Sequence, residues 1–93
     1  MILMAKEKEI SSEQAKKIGE ELGVDWSKFN IQQFKKGMTV ELEHGKRYAA
    51  TNVTDDDLLF TGKIALAHLN EFSDYYIRLE KMEEEAEKYW AGK

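Results

Sequence analysis

The stretch Asn30-Ile31-Gln32-Gln33-Phe34-Lys35-Lys36-Gly37-Met38-Thr39-Val40-Glu41-Leu42-Glu43-His44-Gly45 decides the fold class. Asn30 has a side-chain oxygen suited to accept from the free N–H groups of a first helical turn. Ile31, Phe34, Met38 and Leu42 then recur at intervals of three and four residues, which places them on one helical face. Gly45 is read as the stop of that helix. Val40-Glu41-Leu42 alternates as a strand would, but the run is short and sits inside the helical pattern. The stretch is predicted to be a helix, and no longer alternating run competes with it elsewhere. There is no internal repeat.

The same reading extends in both directions. Residues 1–10 are predicted to form an N-terminal arm, and residues 11–93 a single helical domain. Ser11 and Gln14 have capping-box spacing, with Ile10 placed to staple against Ala15. Ala15, Ile18 and Leu22 continue that helix and Gly23 stops it. Trp26 and Phe29 lie in the connector, where large aromatics close the end of a core. After Gly45, residues 45–54 are the longest predicted loop, anchored by Tyr48 and Val53. Thr54 is read as the cap of a third helix with Asp55, Asp56 and Asp57 in its first turn, where the macrodipole favours negative charge. Leu58, Ala65, Leu69 and Phe72 are its stripe. Ser73 breaks the chain and Asp74 opens a fourth helix, whose Tyr75, Leu79, Met82, Ala86 and Tyr89 form a nearly heptad seam. Gly19, Gly37 and Gly62 fall inside predicted helices at ~1 kcal/mol each relative to alanine, which close helix approach would offset. For Gly62 the alternative is a break, with residues 55–61 forming their own turn. The expected fold class is all-α, a compact bundle of about four helices.

Composition excludes several function classes. The 93 residues contain no cysteine, so there is no disulfide framework, thiolate site or cysteine nucleophile. Proline is absent too, as suits a chain spent on helices. The net charge of −4 and the lack of a basic stripe speak against nucleic-acid binding. Met1-Ile2-Leu3-Met4 is too short for a signal peptide or a membrane span, which needs ~20 apolar residues. The expectation is a cytoplasmic protein with no nucleic-acid or membrane partner.

The two histidines are the chemical feature of the chain. Glu41 and His44 are three residues apart, as are His68 and Glu71. Each helical pair can present an imidazole and a carboxylate to one point. Antiparallel packing of the two helices can join the pairs into a site for zinc, iron, manganese or nickel, with Glu43, Asp74 or Tyr75 as further ligands. The structural alternative is stronger. His44 precedes Gly45 at a helix end, where a histidine caps carbonyls and complements the dipole. His68 can serve by hydrogen-bonding a neighbouring carboxylate or Tyr75. Other features carry no chemistry: Thr61-Gly62-Lys63-Ile64 lacks the upstream glycine of a P-loop, and the three aspartates lack EF-hand spacing. Trp90, near the end on a polar background, is the aromatic expected to meet a partner.

Several segments together resemble a family of small prokaryotic and phage-borne proteins defined as a domain of unknown function. They are Glu41-Leu42-Glu43-His44-Gly45, Ala50-Thr51-Asn52-Val53-Thr54, Thr61-Gly62-Lys63-Ile64-Ala65 with His68-Leu69-Asn70-Glu71, and Asp74-Tyr75-Tyr76. The resemblance covers roughly residues 11–87. The family pattern has proline where this chain has Ser73. It directs attention to both histidines, Glu41, Glu43, Glu71, Asp74 and Tyr75 without implying an activity. The functional expectation is a non-catalytic interaction or structural module, phage-associated, with a protein partner or as a homodimer. The alternative is a metal-binding helical protein using Glu41, His44, His68 and Glu71, or a small metal-dependent enzyme built on that site.

Overall fold

The computed structural model describes residues 9–92, and residues 1–8 of the expected arm lie outside them. Helix α1 spans Ser12–Leu22, α2 Ile31–Glu41, α3 Leu58–Glu71 and α4 Tyr75–Ala91. Short 3-10 turns occupy Leu42–His44 and Ala49–Thr51, and no strand occurs among the described residues. The fold class is all-α, as the periodicity predicts.

Local chemistry sets the first two helices. The Ser11 hydroxyl accepts from the Gln14 N–H at 3.1 Å while the Gln14 side chain accepts from the Ser11 N–H at 2.9 Å. Asn30 and Gln33 exchange the same reciprocal pair at 2.9 Å each. Gly23 ends α1 with φ 71°. Ile10 is buried in the core, and its N–H donates to Thr39 Oγ1 at 3.2 Å, tying the entry of α1 to α2.

Helix α2 is central, packing on α1, α3 and the start of α4. Phe34 and Met38 are fully buried among Ala15, Ile18, Ala65 and Leu69. Trp26 meets Phe34 edge-on at 5.9 Å between centroids, and Phe29 stacks on Phe34 at 6.3 Å, so the connector aromatics close one end of the core. The helical glycines mark close approaches, and α3 runs unbroken through Gly62. A Cβ on Gly62 would stand 2.5 Å from Ile18 of α1, and one on Gly37 would stand 2.5 Å from the Tyr76 ring of α4.

Three expectations are corrected. Thr54 does not cap α3. It is buried, its N–H donates to the His44 carbonyl at 3.1 Å, and the cap is Asp57, whose carboxylate accepts from Phe60 N–H at 3.0 Å. Asp55 and Asp56 are not in a first helical turn but in the left-handed region, with φ 53° and 62°. Asp tolerates that region better than most residues. Hydrogen bonds hold both in place, from Asp55 N–H to Asn52 Oδ1 at 2.8 Å and from Lys46 N–H to Asp56 Oδ1 at 2.9 Å. Phe72, expected on the buried stripe of α3, is exposed, because the helix ends at Glu71 and Phe72 is extended, with φ −141°. The stripe is completed by Thr61 and Gly62 instead.

Helix α4 differs from the rest. Tyr76 is its one buried residue, and every described residue from Glu84 onward is exposed. At ~1.5 Å per residue its last two turns extend about 11 Å along an exposed face.

Candidate functional site: a histidine–glutamate–tyrosine array at the root of α4

The two predicted pairs form as spaced. Glu41, on the last turn of α2, is buried, and its Oε1 lies 4.0 Å from Nε2 of the exposed His44. On the last turn of α3, His68 Nδ1 lies 3.2 Å from Glu71 Oε1. What joins them comes from α4. The Tyr76 hydroxyl donates to Glu41 Oε2 at 2.7 Å. The Tyr75 ring stacks on His68 at 4.2 Å between centroids and 12° between planes, and Tyr75 meets Tyr76 edge-on at 4.9 Å. The order is therefore His44, Glu41, Tyr76, Tyr75, His68, Glu71, linking the ends of α2 and α3 through the first turn of α4.

The electrostatics follow from burial. The Tyr76 phenol is pushed far above its ordinary range, first by desolvation and then by its bond to the Glu41 carboxylate. It is held as a donor and does not serve as a base. Tyr75 is raised as well, by burial and then by the charge of Glu41. Asp74 goes the other way, held below the usual carboxylate range by Arg78, whose Nε donates to it at 2.8 Å.

Further along α4, Glu83 is raised above the usual carboxylate range by burial and then by the charge of Glu43. Glu43 Oε2 and Glu83 Oε1 are both shielded from solvent, and neither has a hydrogen-bond partner among the described residues.

Each imidazole thus meets one carboxylate. Among the described residues no group of three or more His, Asp or Glu side chains is arranged to hold a metal ion. Neither Glu43 nor Asp74 is bonded into the array; Asp74 turns to Arg78. The His44 imidazole faces Glu41, and the His44 carbonyl at that helix end is satisfied by Val53 N–H at 2.6 Å and Thr54 N–H at 3.1 Å. Residue reasoning missed Tyr76 as the link. Its signal is a tyrosine in phase with a buried face, whose hydroxyl must find an acceptor.

The described part is a small helical bundle in which one helix is braced at its root and exposed beyond it. The family described as "Protein of unknown function (DUF5661)" matches residues 15–85, and the chain belongs to that family. No curated protein matches the chain. No solved structure matches it either. No helix of the described residues is long and apolar enough to cross a membrane.

Proposed function

We propose that this protein is a non-catalytic interaction module that presents α4 as its contact helix. The observation that carries the reading is where apolar side chains are left in water. Met82 is 58% exposed, Tyr89 56% and Trp90 69%, all on a helix whose apolar spacing continues past the point where the core ends. Contiguous exposed apolar surface marks interaction sites. The array at the root of α4 supports the same reading. A buried hydroxyl–carboxylate bond and a stacked imidazole hold the helix at one angle, which preorganises a surface for binding. The array's one deeply buried phenol is locked as a donor to Glu41.

The test is site-specific photo-crosslinking in living cells of the source. A benzoylphenylalanine in place of Ala86 should give a discrete protein adduct that is lost when Met82→Glu is added. The same probe in place of Glu13, exposed on α1, should give none. Absence of an adduct at position 86 overturns the reading.

A further inference from the structure

The seam on α4 has a register. Tyr75, Leu79, Met82 and Ala86 are spaced four, three and four residues apart, and Tyr89 follows at three. That is the strict alternation of a two-stranded coiled-coil seam, narrower than the stripe of a helix packed on a broad core. Phe72 extends the seam below the helix start. It lies with Tyr75, Leu79 and Met82 along a shallow depression of about 180 Å³.

In an antiparallel pair of such helices, each first-position residue of the heptad faces a fourth-position residue of the other strand. Here Leu79 would face Met82, Tyr75 would face Ala86 and Phe72 would face Tyr89, arranged symmetrically about one two-fold axis between residues 80 and 81. The sizes are complementary, since the bulky Tyr75 would meet the smallest seam residue.

Charge chooses the orientation. The first half of α4 carries Arg78, Glu80 and Lys81, while the second carries Glu83, Glu84, Glu85, Glu87 and Lys88. A parallel pair would stack the acidic blocks on each other. An antiparallel pair sets each acidic block against the partner's basic half, and places Arg78 opposite Glu85 twice, at the flanking positions that select partners. Both side chains are exposed; in the single chain Arg78 rests 4.4 Å over the Phe72 ring beside Asp74. The shape of the chain agrees. The exposed second half of each α4 would lie on the partner's first half, with the two bodies at opposite ends, whereas parallel pairing would crowd them at one end.

We infer that α4 pairs antiparallel with α4 of a second copy of this chain, with Leu79 against Met82 at the centre. This rests on the reading of α4 as the contact helix. About two and a half heptads fall short of the three to four that sustain a strong coiled coil, so the dimer is a weak one that forms and separates with concentration.

The experiment is sedimentation equilibrium of the full chain from 1 to several hundred µM, alongside the crosslinking above. Wild type should pass from 10.8 kDa to twice that mass. Met82→Glu should stay monomeric, and its melting temperature should equal that of the wild type at concentrations where both are monomers. Arg78→Glu alone and Glu85→Arg alone should each weaken self-association about tenfold, since each sets like charges opposite one another. An equimolar mixture of these two variants should regain the wild-type Kd, because in the mixed dimer both pairs are again opposite in sign.

A dimer indifferent to Met82→Glu overturns the inference, as does a seam-dependent dimer whose mixture is not restored. So does a monomer whose Met82→Glu variant melts lower, since the stripe would then be covered from within the chain. A monomer that still gives the Ala86 adduct with a different protein overturns the second copy and leaves the contact helix standing. A monomer with no adduct overturns both.

Discussion

Helices α2 and α4 carry nearly the same apolar pattern and meet opposite fates. In α2, Phe34 and Met38 vanish into the core against α1 and α3. In α4, Tyr75 and Leu79 reach the edge of that core, while Met82 stands in water. Periodicity states that a face is apolar, and it does not state what covers it. Neighbours decide that. Close approach at Gly62 draws α3 onto α1, and at Gly37 it draws the root of α4 onto α2, whereas no helix of the described chain lies beyond Glu83 to meet the rest of α4.

The largest expected effect separates the two helices directly. Phe34→Ala should cost about 3–5 kcal/mol in urea unfolding, the transfer loss plus the cavity left beneath Trp26 and Phe29. Met82→Ala, measured at concentrations where the chain is monomeric, should cost less than about 0.5 kcal/mol. Comparable losses at the two positions would break the comparison, because α4 would then be packed as α2 is.

A middle effect tests where the two helices join. Tyr76→Phe removes the hydroxyl from Glu41 and leaves a buried carboxylate without that donor. The expected loss is about 1.5–3 kcal/mol, as for hydrogen bonds to charged groups. A double-mutant cycle with Glu41→Gln should show coupling above about 0.5 kcal/mol. Additive losses would mean that the array does not brace α4.

The array also shows what residue reasoning reaches. Both i, i+3 pairs, the Ser11–Gln14 capping box and the Asn30 cap were legible, because each depends on a few consecutive residues and one helical turn. The link through Tyr76 was not, since it depends on the angle at which α4 meets α2. The start of α3 failed for a related reason. Thr54, Asp55, Asp56 and Asp57 are all competent caps, and the choice among them falls to groups about ten residues upstream, the His44 carbonyl and the Lys46 N–H. Phe72 was misplaced because helical phase was carried one residue past the helix end. The pattern did announce the seam on α4, and it was silent on whether the seam faces the chain itself or another molecule.

The smallest effect lies at Glu83, where α4 last touches the body. Burial and the charge of Glu43 raise its carboxyl above the ordinary value of 4.5. With the native pKa above the unfolded one, the native state holds the proton more tightly. That contribution is fully present below the unfolded value and is lost as the pH rises through the native one. At pH 7 the ionised Glu83 therefore opposes folding. Glu83→Gln should raise the melting temperature at pH 7 by ~2–4 °C, about 0.5 kcal/mol once the partial exposure of the side chain is allowed for. Because the wild-type carboxyl takes up its proton on acidification, the gain should shrink toward zero near pH 4. Thermal melts of both proteins at the two pH values measure this. A gain that does not depend on pH would mean that neither burial nor Glu43 raises the Glu83 carboxyl. The exposed part of α4 would then begin a full turn earlier, just beyond Leu79.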